Sequence, residues 1–143
     1  MDNLKNKLTN IQNNLNLKYG SFSDEYIEQL LCLEYINKDD TVLEIGGNVG
    51  RVSLIISSII DNSSNLVVVE SDPDTCKYLR ENRNNNNLQF IVVGGAISNV
   101  NLYVAPFQYP VSGVTYNSKL VKSFSFGNFT VAASPVSKFA ISF

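Results

Sequence analysis

Strand and helix signals alternate between residues 41 and 95, and that rhythm predicts a three-layer α/β domain on a parallel, doubly wound sheet. Three observations support the expectation. Short β-branched runs read as strands buried on both faces, helical stretches separate them, and a glycine-rich loop joins the first strand to the helix after it. A chain of 143 residues, 44% of them hydrophobic, can bury roughly 68–70% of its unfolded surface, so one core and a single domain are expected.

Residues 1 to 20 form a helical lead. Leu4, Leu8, Ile11 and Leu15 fall at four-three-four spacing, one apolar stripe on a helix otherwise rich in Asn and Lys. Such a stripe docks on the rest of the chain or pairs with a second copy, and Gly20 is its expected stop. Ser23, followed by Asp24 and Glu25, offers a second helix an N-cap and a negative first turn. That helix runs through Ile27, Leu30, Leu31 and Tyr35 toward Asn37.

The central unit spans residues 21 to 98. Thr41-Val42-Leu43-Glu44-Ile45 is the first strand, and the stretch from Val52 to Ile60 is too apolar for a surface helix and must be covered on most sides. Leu66-Val67-Val68-Val69, ending at Glu70, completes a β-α-β unit. Asp72-Pro73 opens a third helix of the cap-then-proline kind, which continues through Leu79 and gives out in the polar loop Asn84 to Asn87. Phe90-Ile91-Val92-Val93 follows, closed by Gly94-Gly95.

Residues 99 to 143 form a β-rich tail in which the rhythm stops. Ser123 to Phe126, Gly127-Asn128, then Phe129 to Val131 reads as a two-residue hairpin with Gly at the first turn position. The charge distribution changes too. All 13 carboxylates lie at or before Glu81, so residues 1 to 81 sum to −6 and the remainder to +4.

Net charge is −2, far from the cationic field of a duplex-binding protein, so nucleic acid is not an expected partner. The chain contains no His, which excludes His-based triads and imidazole metal sites. Cys32 and Cys76 are isolated and read as buried free thiols. The N-terminus has no apolar signal region and no run approaches a membrane span, so a cytoplasmic protein that does not enter a membrane is expected. Asp72 and Asp74 read as a cap and a first-turn charge, with no metal site expected.

The tightest chemical signal is Glu44-x-Gly46-x-Asn48-x-Gly50, with Gly47 inside it, between a strand and a helix. Glu70 closes the next strand, 20 residues after Gly50. Glycines let a backbone approach a ligand closely, a helix N-terminus presents unpaired N–H groups, and a strand-terminal carboxylate accepts hydrogen bonds from a ribose diol. A ribose-containing ligand is indicated. The dinucleotide pattern G-x-G-x-x-G is not met, because its second and third glycines would fall on Asn48 and Arg51; a long side chain at the third position is expected to obstruct helix–strand packing. The P-loop pattern is missing as well.

VLEIGGNVG with VVVESDP resembles motifs I and II of class I S-adenosylmethionine (SAM) dependent methyltransferases. Asn48 within the glycine loop, with ENRNNNNLQFIVVGGAIS downstream, resembles the FkbM-like branch in particular. The resemblance covers about residues 24 to 98 and implies a Rossmann-like three-layer methyltransferase fold with SAM as cofactor. It further implies that Glu44, Gly46, Gly47, Asn48 and Gly50 surround the methionine moiety. On the same grounds Glu70 would hold the ribose hydroxyls with Ser71 and Asp72 beside it, and Gly95 and Ala96 would lie near the adenine. SAM's carboxylate suits a helix N-terminus and its methyl is already activated, so alignment is the main task and no metal or covalent nucleophile is required.

The chain departs from that family on the acceptor side. The family's sheet has seven strands, the fourth usually bearing a D-x-E-G type segment beside the acceptor, whereas three good strands are legible here, so an incomplete fold is expected. Beyond Glu81 the only titratable side chains are tyrosines (Tyr103, Tyr109, Tyr116), lysines and Arg83, and the catalytic residues stay unassigned. No N-P-P-Y type loop is present, which disfavours methylation of nucleobase amines. The family's expected activity is O-methylation of a hydroxyl on a small molecule, sugar or other glycan acceptor. The alternative is a catalytically inactive or truncated SAM-binding remnant acting as an interaction module. An unfinished sheet leaves edges and apolar faces, which the tail hairpin, the first helix or a second copy in a homo-oligomer is expected to cover.

Overall fold

The computed structural model describes residues 2–97 and four strand segments beyond them, 102–103, 120–121, 123–124 and 139–142, with side chains described through residue 95. The order is α1 (Asp2–Asn13), α2 (Tyr26–Tyr35), β1 (Val42–Ile45), α3 (Arg51–Ile59), a 3-10 turn (Ser63–Asn65), β2 (Leu66–Glu70), α4 (Pro73–Asn85) and β3 (Ile91–Gly94). Short strands follow: β4 (Ala96–Ile97), β5 (Leu102–Tyr103), β6 (Leu120–Val121), β7 (Ser123–Phe124) and β8 (Phe139–Ser142).

The main sheet has the order β3-β2-β1-β8. β1, β2 and β3 are parallel, with Val42 opposite Leu66 and Val67 opposite Ile91. β8 lies antiparallel on β1, Ile141 opposite Leu43, so the sheet is mixed where the sequence reading expected it parallel throughout. β7 pairs parallel with β4, which places Phe124 beside Ile97 in backbone register. The proposed hairpin turn at Gly127-Asn128 and its return strand lie outside the described residues.

Two crossovers step in the same direction along β1-β2-β3, which puts α3 and α4 on one face. Val42, Leu66, Val68 and Phe90 meet Val52, Leu54, Ile56 and Leu79 there and form the main core. The other face carries Leu43, Ile45, Val69 and Val93, and no described helix packs on that cluster. Of the three expected layers, the described residues therefore supply two. α3 is covered as its composition demands, with Val52 through Ser57 all buried.

The lead helix docks within its own chain. Leu8, fully buried, packs with Leu33 of α2 and Ile55 of α3, flanked by Leu4, Ile11 and Leu15, so its stripe is used without a second copy. α1 stops at Asn13, well short of Gly20. The reason lies far away in sequence: the amides of Asn16, Lys18 and Tyr19 donate to the side chains of Asn86 and Asn82, and a strap held by main-chain groups cannot also be helix.

The start of α2 differs as well. Ser23 does not cap it; the helix begins after Glu25, which is left-handed at φ 60° and makes no side-chain cap. Ser23 bonds instead to Ser21 Oγ. Fully buried Gln29 organises the turn, its Nε2 donating to the Phe22 and Asp24 carbonyls and its Oε1 accepting from Gln12. Among the described residues no helix is long and apolar enough to cross a membrane.

Candidate functional site

The glycine loop and Glu70 meet at the C-terminal ends of adjacent strands, because β1 and β2 are parallel and in register from Val42–Leu66 to Ile45–Val69. Asn48 N–H donates to Glu70 Oε2 at 2.7 Å. The other carboxylate oxygen accepts from Asp72 N–H at 2.9 Å and lies 3.5 Å from Ser71 Oγ. The Glu70 carbonyl takes Gly95 N–H at 2.8 Å and the Cys76 thiol at 3.3 Å. One residue thus ties together the loop after β1, the start of α4 and the end of β3.

Each of these segments arrives by local chemistry. Asp72 caps α4 by accepting from Thr75 N–H at 2.6 Å, with Pro73 at the first helical position, as the sequence predicts. Gly46 and Gly50 take φ of +81° and +93°, and Asn48 takes +50°, all left-handed conformations that open the turn from strand to helix. Asn48 stabilises its own turn by accepting from Val49 N–H at 2.8 Å.

The loop amides are committed inside the protein, which corrects the expectation that they face a ligand. Gly46 and Gly47 N–H donate to the Val69 carbonyl, Asn48 N–H to Glu70, Val49 N–H to Asn48 Oδ1 and Gly50 N–H to the Gly47 carbonyl. The physical cause is the tight turn, which folds its own donors onto β2. Two of the glycines also serve packing. A Cβ at Gly47 would overlap Val68 Cγ1, and one at Gly50 would lie 2.6 Å from Leu79 Cδ1.

Glu44 is buried under α3, where Ser53 Oγ donates to it at 2.5 Å, so it braces strand to helix. Arg51 does not obstruct the sheet as its position in the motif suggested. Its side chain, 12% exposed, turns toward the strap and pairs with Asp24 at 3.2 Å and Glu25 at 3.4 Å. Gly20, at φ +93°, gives it room, since a Cβ there would lie 2.9 Å from Arg51 Nε. Gly95 is buried beside the Glu70 backbone, and Ala96 opens β4 with its side chain outside the described residues.

Sequence reasoning gave Asn82 no role, and it placed Asn84 and Asn85 in a polar loop where the structure continues α4 to Asn85. Fully buried, Asn82 accepts from Lys18 and Tyr19 N–H and donates to the Tyr19 and Val49 carbonyls, clamping the strap onto the glycine loop. Asn86, four residues on, does the same for Asn16. Their i, i+4 spacing on one helix face was the available signal.

Both thiols are buried. Burial, reinforced by Glu44 and Glu28, pushes Cys32 up to about 12. Burial also raises Cys76, against the opposing pull of Arg80. Neither is a thiolate nucleophile near neutrality. A disulfide reagent at neutral pH is expected to leave both unreacted in the folded chain and to titrate two thiols after denaturation; prompt labelling of the native protein would contradict this.

An open groove of about 490 Å³ runs along α1, lined by Asn3, Asn6, Asn10, Ile11 and Ser58, and shares no residue with the glycine loop. Among the described residues no group of acids and cysteines is placed to hold a metal. Glu70, 9% exposed, accepts from two main-chain amides and lies 3.5 Å from Ser71 Oγ; a carboxylate has about four acceptor positions, and a SAM ribose would need the remainder. No family model matches the chain, and neither does any curated protein or solved structure.

Proposed function

We propose that this chain is a SAM-dependent methyltransferase of the FkbM-like type, with a Rossmann-like fold, acting in the cytoplasm on a hydroxyl of a sugar or other glycan acceptor. The observation that supports the reading most is the 2.7 Å hydrogen bond from the Asn48 amide to Glu70. It joins the glycine loop and the strand-terminal acid at the carboxyl ends of parallel strands, where open α/β sheets receive ligands. When bound, the cofactor supplies a methyl group already activated by its sulfonium.

In this reading Glu70 accepts from the ribose hydroxyls, with Ser71 and Asp72 beside it and Gly95 and Ala96 toward the adenine. Glu44, Gly46, Gly47, Asn48 and Gly50 shape the methionine end. The positive pole of α3, starting at Arg51, favours the cofactor's carboxylate. With the loop amides spent, that end of the site relies on the helix and on shape.

Calorimetric titration with S-adenosylhomocysteine is expected to give saturable binding, weakened about tenfold or more in Glu70→Ala, the scale of lost hydrogen bonds to a charged acceptor. A folded sample that binds nothing at about millimolar ligand ends the reading.

The second reading, a SAM-binding remnant serving as an interaction module, is favoured by the internal commitment of every amide from Gly46 to Gly50 and by the lack of any carboxylate after Glu81. Cofactor binding without methyl transfer to hydroxyl acceptors selects it. Turnover eliminates it.

A further inference from the structure

The geometry points to a second task for α4: we propose that Arg80 and Arg83 cap the outer edge of β3 and keep it from pairing with another copy of this chain. β3 is the outermost strand of the main sheet among the described residues, bonded to β2 alone. An open parallel edge offers a row of main-chain donors and acceptors to any strand that approaches. Here the edge also presents Ile91, which is 52% exposed and among the large apolar side chains most open to solvent.

Two guanidiniums reach this edge. Arg83 Nη1 donates to the Phe90 carbonyl at 2.9 Å, and Arg80 Nη2 to the Val92 carbonyl at 3.4 Å. Main-chain groups of alternate residues along a strand face the same side, so Phe90 and Val92 present their carbonyls to one flank. Ile91 and Val93 present theirs to the other. The spacing of the arginines matches the task. Residues three apart on a helix project together, and α4 packs along β3. Arg83 is further held by Asn84 Oδ1 at 3.1 Å and by the Phe90 ring, 5.9 Å from its guanidinium carbon. A strand approaching this flank would have to displace both cations, and its own N–H groups would find the carbonyls taken.

The test is sedimentation of the full chain from about 1 µM to about 1 mM, the range in which exposed strand edges associate. Arg80→Met with Arg83→Met keeps the alkyl stems and removes the caps. The parent is expected to show no association through β3, and the double variant a weight-average mass rising toward twofold or beyond with concentration. Adding Val92→Pro is expected to restore the parental mass, because the Val92 N–H lies on the outer flank and its loss spares the β2 ladder. If the double variant does not fold, Arg80→Gln and Arg83→Gln singly are read in the same way, each with a smaller rise. Folded variants whose mass matches the parent across the range overturn the proposal, as does association that persists with Val92→Pro.

Discussion

Asn82→Asp is expected to destabilise the chain by about 3 kcal/mol or more, read as the shift of a denaturation midpoint at unchanged slope. The two side chains have nearly the same shape, and the difference is confined to what Nδ2 does. In the native protein that nitrogen donates to the Tyr19 carbonyl at 3.0 Å and to the Val49 carbonyl at 2.8 Å, inside a residue with no solvent exposure. A carboxylate oxygen there sets acceptor against acceptor and buries a charge among four main-chain groups, two of them carbonyls. Asn82→Ala removes the bonds without adding the repulsion and is expected to cost less. Asn86→Ala, at a half-buried position, is expected to cost about 1 kcal/mol. In Asn82→Ala, amide hydrogen exchange should rise first at Lys18 and Tyr19, whose N–H groups lose their acceptor. An Asn82→Asp protein as stable as the parent would mean that the clamp does not hold the strap.

Gly47→Ala is expected to cost about 3 kcal/mol, at the upper end of what overpacking costs. The added methyl has no free volume: it would overlap Val68 Cγ1 in the main core, with Leu79 Cδ2 at 3.5 Å and Ser53 Oγ at 3.6 Å. Relief requires β2 and the loop to separate, and the Gly46 and Gly47 amides bonded to Val69 resist that motion. A double-mutant cycle tests the cause. Val68→Ala alone creates a cavity and destabilises, whereas Val68→Ala in the Gly47→Ala background should recover stability, a coupling of about 1–3 kcal/mol. Additive losses would place the strain elsewhere. Glycines in such a loop are readily assigned to ligand approach, and the cycle measures how much of the requirement at position 47 is packing.

The parts of the fold legible from the residues are those governed by neighbours in sequence. Apolar run length and β-branching marked β1, β2 and β3, the Asp72-Pro73 pair marked the start of α4, and the density of Ile and Leu in α3 announced a buried helix. The meeting of the glycine loop with Glu70 was legible for a related reason. Two strands joined by one right-handed crossover lie side by side, so the residues that end them are neighbours.

Two expectations failed where side-chain hydrogen bonds, distant in one case and local in the other, outbid helix and cap propensity. α1 ends early because side chains of α4, more than 60 residues away, hold the strap's amides. Ser23 loses its cap because Gln29, Arg51 and Ser21 organise that turn.

The amino-acid order by itself determined the β-α-β core, the placement of the acid opposite the loop, and the exclusion of imidazole chemistry. Periodicity, turn chemistry and composition act over a few residues and need no fold to be read. Only the tertiary structure decided which donors remain. It turned the loop amides inward, made Asn82 a clamp and set two arginines on the edge of β3. A hydrogen bond depends on distance and angle between groups that the chain brings together only once it has folded.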